Sequence, residues 1–293
     1  MSRLICIAGP TAVGKSDIAL QLAKKLNRCI VSADSFAIYK GMDIGTAKPS
    51  KTEQAEAKHF MIDVVEPCEE YNAFLYSKAV DEVLKTNPNA IAVGGTGLYF
   101  ESLLYGLDFP NSDDTQKLRS ELWDFCDKFG KEALHKKLAE INPERAEKIH
   151  PNNVKSVIRA LEILDKKDFT TKKERKPVRD YVLFAMNCDR NLLYERINTR
   201  VDKMFELGLV EEVELLSKKY DSRCQAFQAI GYKETLEYLK GEFSLSDIKE
   251  QIKRHTRNYA KRQITFIKRL NPIWIDANKG KDDIIAEIES YLR

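Results

Sequence analysis

The sequence predicts an α/β fold in which a parallel sheet, flanked by helices, carries a phosphate-binding loop, with a helical insertion in the middle of the chain. Three observations support this prediction. Short apolar runs alternate with segments of helical periodicity over residues 1–110 and again over 180–293. The runs are almost continuously apolar, which is typical of strands buried on both faces. Between 111 and 179, helical patterns occur without a convincing strand.

The first apolar run, Leu4–Ala8, leads directly into a glycine-rich loop. The loop fits the pattern G-x-x-x-x-G-K-[ST] and is followed by apolar residues at helical spacing. In a strand–loop–helix unit the backbone N–H groups of the loop face an anion, and the lysine adds a positive charge. The final hydroxyl is placed to hold Mg²⁺. We therefore expect a bound di- or triphosphate, by default a nucleotide such as ATP, at Gly9, Pro10, Thr11, Ala12, Val13, Gly14, Lys15 and Ser16.

Two further apolar runs end in polar residues. The predicted strand Cys29–Ala33 is followed by Asp34, and the predicted strand Ala90–Val93 runs into a glycine-rich turn that contains Thr96. Ligands of open parallel sheets collect beyond the carboxyl ends of the strands, so both side chains should face the phosphate loop. Asp34 could hold Mg²⁺, act as a base or cap a turn. The glycines of 94–97 are expected to let the backbone approach a ligand closely.

The remaining elements of the α/β part can be placed in order. Residues 39–49 form a loop, and Ser50 with Glu53 predicts a capping box for a short helix. Further strands are predicted at 60–65, 181–186 and 273–276, and further helices at 73–84 and 282–292.

Charge is distributed unevenly in the second half of the chain. A basic stretch (Lys166, Lys167, Lys172, Lys173, Arg175, Lys176 and Arg179) is either a solvated linker or a nucleic-acid contact. Arg196 and Arg200 share one helix face, where they could neutralise a phosphate or simply be solvated. A helical pattern at 248–270 carries eight basic residues and one glutamate, which favours nucleic acid over a membrane surface or a solvated face.

Composition limits the possible classes of protein. With 293 residues, 43% of them hydrophobic, and a net charge of +3, the chain is typical of globular proteins and too balanced for charge alone to indicate a partner. No apolar stretch approaches the roughly 18 residues of a membrane span, so we expect no membrane association. Six cysteines are scattered singly, which predicts reduced thiols in a cytoplasmic protein.

The activity cannot be derived from these features alone. No apolar strand ends in the D-x-x-G segment or paired acids of a hydrolytic enzyme, and no N-K-x-D segment occurs, so neither a hydrolytic enzyme nor a guanine-specific one is indicated. However, the segments GPTAVGKS, DSFAIYKGMDIGTAKP, GGTGLY and TRNYAKRQITF, in this order, resemble those of the tRNA dimethylallyltransferase (isopentenyltransferase) family. The segments RVDKMFELGLVEEV and AIGYKE are also similar to that family, and the resemblance is weakest between about 111 and 180.

The resemblance implies a P-loop NTPase-like core and a reaction. The family transfers the dimethylallyl group of dimethylallyl diphosphate to the N6 amine of the adenosine next to the anticodon of a tRNA, with Mg²⁺. Asp34 would then be the base, and Thr96 would hydrogen-bond the diphosphate. Lys15, Arg200, the loop N–H groups and a metal ion at Ser16 would balance the charge of the leaving diphosphate. The target base would be flipped out of the anticodon stem-loop. We expect a monomer.

The resemblance also implies RNA contacts. Three positions depart from the family pattern, Ala37 (where glutamine is frequent), Asn153 (aspartate) and Ser156 (arginine), so Lys155 could take over part of the contact. The implied contact residues are Asp34, Ser35, Phe36, Ala37, Thr96, Arg119, Lys155, Ser156, Val157, Ile158, Arg159, Gln228, Ala229, Ile230, Gly231, Tyr232, Lys233, Lys261, Arg262, Gln263, Ile264, Thr265, Phe266, Ile267 and Lys268.

Three other functions remain open from the residues alone. A P-loop small-molecule kinase could use the arginine pair to cover ATP. A prenyltransferase could act on free adenine nucleotides, although it would need no basic helix. A non-catalytic RNA-binding protein could retain a vestigial phosphate loop.

Overall fold

The computed structural model describes residues 3–106, 112–165 and 176–292, without the side chains of 112–116 and 165. Most of the predicted basic stretch (Lys166, Lys167, Lys172, Lys173 and Arg175) therefore lies outside the described residues. The strands are β1 (Leu4–Ala8), β2 (Ile30–Ala33), β3 (His59–Phe60), β4 (Ile91–Gly94), β5 (Tyr181–Asn187) and β6 (Ile273–Asp276).

Helices follow nearly every strand. They are α1 (Lys15–Leu26), α2 (Lys51–Glu56), α3 (Ala73–Thr86), α4 (Gly97–Tyr105), α5 (Ser112–Phe129), α6 (Lys131–Ile141), α7 (Pro143–Glu147), α8 (Val154–Asp165), α9 (Arg190–Glu206), α10 (Leu209–Lys219), α11 (Tyr232–Leu239), α12 (Leu245–Lys268) and α13 (Lys281–Ser290), with a 3₁₀ helix at Gln225–Gln228.

The six described strands form one parallel sheet in the order β3-β2-β4-β1-β5-β6. This confirms the predicted α/β class. The first strand lies inside the sheet, between β4 and β5, with Ile5 paired to Ile91 on one side and to Val182 on the other. All five residues of β1 are buried, as its uninterrupted apolar sequence predicts.

Contacts divide the chain into two compact units, one of Met1–Leu107 with Pro177–Arg293 and one of Asp108–Lys176. These bounds lie close to the predicted divisions at 110 and 180. The second unit has its own apolar core, in which Leu134, Leu138 and Val157 are fully buried. Its described residues form helices only, and Glu162 lies in that core, bound by Arg119 and Arg159.

Several predicted elements differ from the structure. The strand expected at 60–65 ends at Phe60, because Met61 and Asp63 adopt left-handed backbone conformations, with φ of 62° and 55°. Helix α4 was not predicted, since glycines 94, 95 and 97 suggested a loop. The basic helix begins at Leu245, three residues before the predicted start, with a capping box between Ser244 and Asp247. The capping box at Ser50 and Glu53 is confirmed.

The cysteine prediction is wrong for one pair. Cys68 and Cys224 form a disulfide, while Cys6, Cys29, Cys126 and Cys188 are free. The loop after Val65 and the loop before the 3₁₀ helix bring the two sulfurs together across 156 residues of sequence, a proximity that single, widely spaced cysteines do not indicate.

Candidate active site

The site lies where three neighbouring strands end. The phosphate loop follows β1, Asp34 follows β2, and Thr96 follows β4, and in the sheet β4 lies between β1 and β2. The three segments predicted to meet therefore do so at the carboxyl edge of the sheet. The phosphate loop, Asp34 and, from the third segment, Val93 and Gly94 line a cavity of about 300 Å³, which also receives side chains from α9 and α12. Thr96 lies behind this lining and does not itself line the cavity.

The phosphate loop has the backbone of an anion cradle. Ala12 and Gly14 have positive φ values of 64° and 95°, and Gly14 precedes α1 without a side-chain cap on the first turn. The first N–H groups of α1 are therefore available to an anion, as in other phosphate loops. Ser16 is exposed in the first turn of α1 and lines the cavity.

Two cations enter the cavity beside this loop. The Lys15 ammonium donates to the carbonyl of Pro10 at 3.0 Å, and Arg200 on α9 donates to the Thr11 hydroxyl at 3.1 Å. Burial is the main cause that lowers the pKa of Lys15 to about 8, and the Arg200 charge lowers it further, against the opposing effect of Asp34. Burial also lowers the pKa of Arg200. Two desolvated cations side by side make a strong site for a multivalent anion.

Asp34 is both a turn cap and a candidate base. Its Oδ1 accepts hydrogen bonds from the backbone N–H groups of Phe36 at 2.9 Å and Ala37 at 3.4 Å. Among the described residues its Oδ2 makes no hydrogen bond, so one carboxylate oxygen remains available in the cavity. The carboxylate also faces the charges of Lys15 and Arg200.

Thr96 is held at the adjacent strand end. Its hydroxyl accepts from the backbone N–H of Ser35 at 3.1 Å and donates to the Ser35 hydroxyl at 3.3 Å. Its backbone N–H donates to Ala33. Thr96 thus joins the ends of β2 and β4 and fixes the turn that carries Asp34.

Gly94, Gly95 and Gly97 have a packing role that the sequence did not predict. A Cβ on Gly95 would lie 2.0 Å from the amide nitrogen of Gln263, and one on Gly97 would lie 2.2 Å from the Phe266 ring. A Cβ on Gly94 would lie 2.1 Å from the carbonyl oxygen of Ala33. These glycines therefore admit α12 and a neighbouring strand, and Gly94 also lines the cavity, where close approach of a ligand stays a prediction.

Sequence reasoning missed Tyr259 as a site residue. It lines the cavity from α12, beside Thr96, Gln263 and the Asp34 carboxylate. Burial and the Asp34 charge raise its pKa to about 12, so its hydroxyl keeps its proton at neutral pH and can donate a hydrogen bond. Only its place in the segment TRNYAKRQITF indicated a functional role for Tyr259, because its spacing otherwise fits the apolar face of a helix.

Lys48 is a second missed residue. It lies in the loop expected at 39–49 and lines the cavity, yet its side chain is only 2% exposed. The ammonium donates to the Tyr39 carbonyl and pairs with Asp43 and Asp63, each at 2.6 Å. It stabilises the loop over the cavity. Its position in the sequence resembled that of an ordinary surface lysine.

The residues predicted to contact RNA fall into two groups. Exposed side chains are those of Lys155, Gln228, Lys233, Lys261, Arg262, Thr265 and Lys268, and half-exposed ones are those of Ser35, Phe36, Ser156, Ile230, Ile264 and Phe266. Arg262 and Gln228 also line the cavity. Arg119 and Arg159 are partly exposed but pair with Glu162 at 2.6 and 2.9 Å.

The second group is buried in the protein, although three of its members, Ala37, Ala229 and Gln263, line the cavity, so their contact with RNA stays a prediction. Its members are Ala37, Val157, Ile158, Ala229, Gly231, Tyr232, Gln263 and Ile267. Gln263 links the phosphate loop to the turn before Thr96. Its amide oxygen accepts from the Thr11 N–H, and its amide nitrogen donates to the Gly95 carbonyl.

No described helix is long and apolar enough to cross a membrane. The described residues contain no group of three or more His, Cys, Asp or Glu side chains that could hold a metal ion. A Mg²⁺ ion at Ser16 would therefore need ligands from the bound phosphates and water, which is its common mode of binding. The Ser16 hydroxyl and the Asp34 carboxylate line one cavity and fit such an ion.

Comparison with known proteins gives consistent matches along the chain. A family model described as IPP transferase matches residues 37–270, and one described as isopentenyl transferase matches residues 2–70. The chain is 45% identical to a tRNA dimethylallyltransferase of Acetivibrio thermocellus, over 100% of this chain and 98% of the relative. It is 40% identical to one of Exiguobacterium, over 99% and 97%.

Solved structures agree with this similarity. A full-length tRNA isopentenylpyrophosphate transferase of Bacillus halodurans matches with a TM-score of 0.75 at 36% identity, over 100% of this chain and 96% of that one. A eukaryotic dimethylallyltransferase, studied while acting on tRNA, matches with a TM-score of 0.78 at 26% identity, over 94% of this chain and 74% of that one.

Proposed function

Because the chain belongs to the IPP transferase family, we propose that it is a tRNA dimethylallyltransferase. It transfers the dimethylallyl group of dimethylallyl diphosphate to the N6 amine of the adenosine on the 3′ side of the anticodon. The products are N6-isopentenyladenosine in the tRNA and free diphosphate. The observation that carries the proposal is the single cavity that holds the phosphate loop, two cations and a carboxylate with one free oxygen.

Each residue has a defined task in this reaction. The N–H groups of the loop, Lys15 and Arg200 bind the diphosphate and balance the charge that grows as the C–O bond breaks. Mg²⁺ at Ser16, when bound, would add positive charge beside the same oxygens. Tyr259 can donate a hydrogen bond into the cavity from α12, while Thr96 holds the turn that carries Asp34.

The acceptor amine needs a base because an exocyclic amine attached to adenine is a weak nucleophile. Asp34 takes the amine proton through its free Oδ2 as nitrogen attacks the prenyl carbon. Its Oδ1 stays bound to the turn, which fixes the direction of Oδ2. Of the three functions that the sequence left open for Asp34, cap and base are thus assigned to different oxygens of one carboxylate.

RNA would reach the cavity from its exposed rim. Arg262 and Gln228 lie at this rim, and Lys261 and Lys268 are exposed on the same helix as Arg262. The anticodon loop is single-stranded, which lowers the cost of flipping the target base into the cavity. We further propose that the enzyme acts as a monomer in the cytoplasm.

The test is transfer of label from dimethylallyl diphosphate to unmodified tRNA, in the presence of Mg²⁺. Acceptors should include tRNAs that differ only beside the anticodon, and AMP as a free nucleotide. We expect label on N6 of the adenosine next to the anticodon and none on AMP. Phosphorylation of a small acceptor by ATP, without use of the prenyl diphosphate, would instead establish a kinase.

A further inference from the structure

A second cleft lies on the other side of the phosphate loop, at the end of β5. It has a volume of about 330 Å³ and is formed by the turn after β5, the first half of α9 and the second half of α12. Its apolar wall consists of Leu193, Ala260 and Ile264. No residue of the main cavity lines it, although α9 and α12 contribute to both.

Three cations surround one aromatic ring in this cleft. Arg190 lies 5.2 Å from the centre of the Tyr194 ring, and Arg257 and Lys261 each lie 5.9 Å from it. Arg190 also donates a hydrogen bond to the Tyr194 hydroxyl at 3.0 Å. Among the residues with described positions, none of these three cations forms an ion pair with a carboxylate, and Arg257 is bound only to the amide oxygen of Asn198.

Asp189 lies in the turn beside the cluster, but among the described residues it forms no ion pair with the three cations. Asp189 caps α9, and its carboxylate accepts from the backbone N–H groups of Asn191 and Leu192. Burial alone would raise the pKa of the Tyr194 hydroxyl, but the hydrogen bonds and charges of Arg190 and Lys261 outweigh burial and lower it. The cleft therefore has a positive potential that favours negative charge at this place.

We propose that this cleft is a second nucleotide-binding site, in which Arg190 and Lys261 hold a phosphate group and the apolar wall supports the sugar or base. Lone surface cations do not discriminate among anions. Here, however, they stand at the mouth of an apolar cleft, and a phosphate joined to a flat apolar body matches both features. The nucleotide has two possible sources, a neighbouring residue of the RNA substrate or a free nucleotide.

Binding measurements can separate these sources without any prenyl transfer. The first arm measures the affinity of an unmodified anticodon stem-loop RNA at several salt concentrations, with no prenyl diphosphate present. The second arm measures the affinity for AMP by equilibrium dialysis, in a Lys15→Ala background in which the phosphate loop binds anions more weakly. Both arms compare Arg190→Ala with Arg3→Ala, a control that removes the same charge at the amino edge of the sheet, where Arg3 pairs with Asp180.

If RNA occupies the cleft, Arg190→Ala should weaken stem-loop binding about tenfold and reduce the salt slope by about one, because one charged phosphate contact is lost. If a free nucleotide occupies it, AMP binding should fall at least tenfold while RNA affinity stays unchanged. Tyr194→Phe should give a smaller loss, about threefold, because it removes only the hydroxyl that orients Arg190.

The proposal would be overturned if Arg190→Ala and Arg3→Ala had equal effects on binding affinity in both arms. A chain that binds through Arg190 but transfers no prenyl group would contradict the proposed function and leave the second site intact. The two hypotheses can therefore fail separately.

Discussion

Gln263 accepts a hydrogen bond from the backbone N–H of Thr11 at 2.9 Å, across 252 residues of sequence. The same amide donates to the carbonyl of Gly95 at 3.1 Å. Gln263 is 5% exposed, and its bond to Gly95 is buried while its bond from Thr11 is partly buried. One residue of the basic helix thereby determines the positions of the phosphate loop and of the turn before Thr96.

The substitution Gln263→Leu should therefore weaken diphosphate binding and lower stability. It leaves the partly buried N–H of Thr11 and the buried carbonyl of Gly95 without partners, at about 1–3 kcal/mol each. We expect the free energy of unfolding in denaturant to fall by about 3 kcal/mol. Gln251→Leu, on the same helix, is the control. Diphosphate binding by Gln263→Leu that matched the control would show that the loop keeps its shape without this contact.

Asp34→Asn separates the two tasks of this residue. The amide oxygen can still accept from the N–H groups of Phe36 and Ala37, so the turn should persist, but the basic oxygen is lost. We expect kcat to fall by about 10²–10⁴, with the affinities for tRNA and diphosphate nearly unchanged. Asp34→Ala should show the same loss of kcat together with weaker RNA binding. Full activity in the asparagine variant would remove Asp34 as the base.

The use of the prenyl diphosphate should decline in mildly alkaline solution. The Lys15 pKa of about 8 lies below its ordinary value of 10.5, so the empty site loses its ammonium charge as the pH rises through 8. We expect kcat/KM for the diphosphate to fall above about pH 8, and Lys15→Met to show a low value without this decline.

The same shift predicts the pH dependence of stability. Between about pH 8 and 10.5 the unfolded chain binds more protons at Lys15 than the folded chain does, so this residue makes the free energy of unfolding rise with pH. Bound diphosphate requires the ammonium and should oppose the rise. A steeper rise in the presence of diphosphate would contradict the assignment.

Reduction of the Cys68–Cys224 disulfide should loosen one wall of the cavity. Cys224 directly precedes the 3₁₀ helix that ends at Gln228, a cavity residue. We expect four reactive thiols in the denatured oxidised protein and six after reduction. Loss of the bridge should cost about 3 kcal/mol of stability and speed hydrogen exchange around 220–231. Cys126→Ser, which affects a free thiol, serves as the control. Six thiols before reduction would show that no bridge forms.

The sheet and the meeting of three segments at its edge were predictable from local sequence. Buried parallel strands are apolar throughout, and their carboxyl ends face one another, so Lys15, Asp34 and Thr96 could be placed near one another without coordinates. Arg200 required the resemblance as well, because a helix face with two arginines is equally compatible with solvent.

The remaining features depend on contacts between distant parts of the chain. The purpose of Gly95 and Gly97 is apparent only when Gln263 and Phe266 are packed against them. Likewise, Lys48 becomes buried because two aspartates surround its ammonium, an arrangement that periodicity does not reveal. The cysteine prediction failed for the same reason, since proximity in the fold decides which thiols can pair.

The position of β1 has a consequence for the synthesis of the protein. The phosphate loop leaves the ribosome before β4 and β5, yet β4 must pair with one side of β1 and β5 with the other. Gln263 completes the loop later still. Nascent chains therefore cannot complete the anion cradle until α12 has emerged. Partial products of translation should not sequester prenyl diphosphate, and their apolar first strand should make them clients of chaperones.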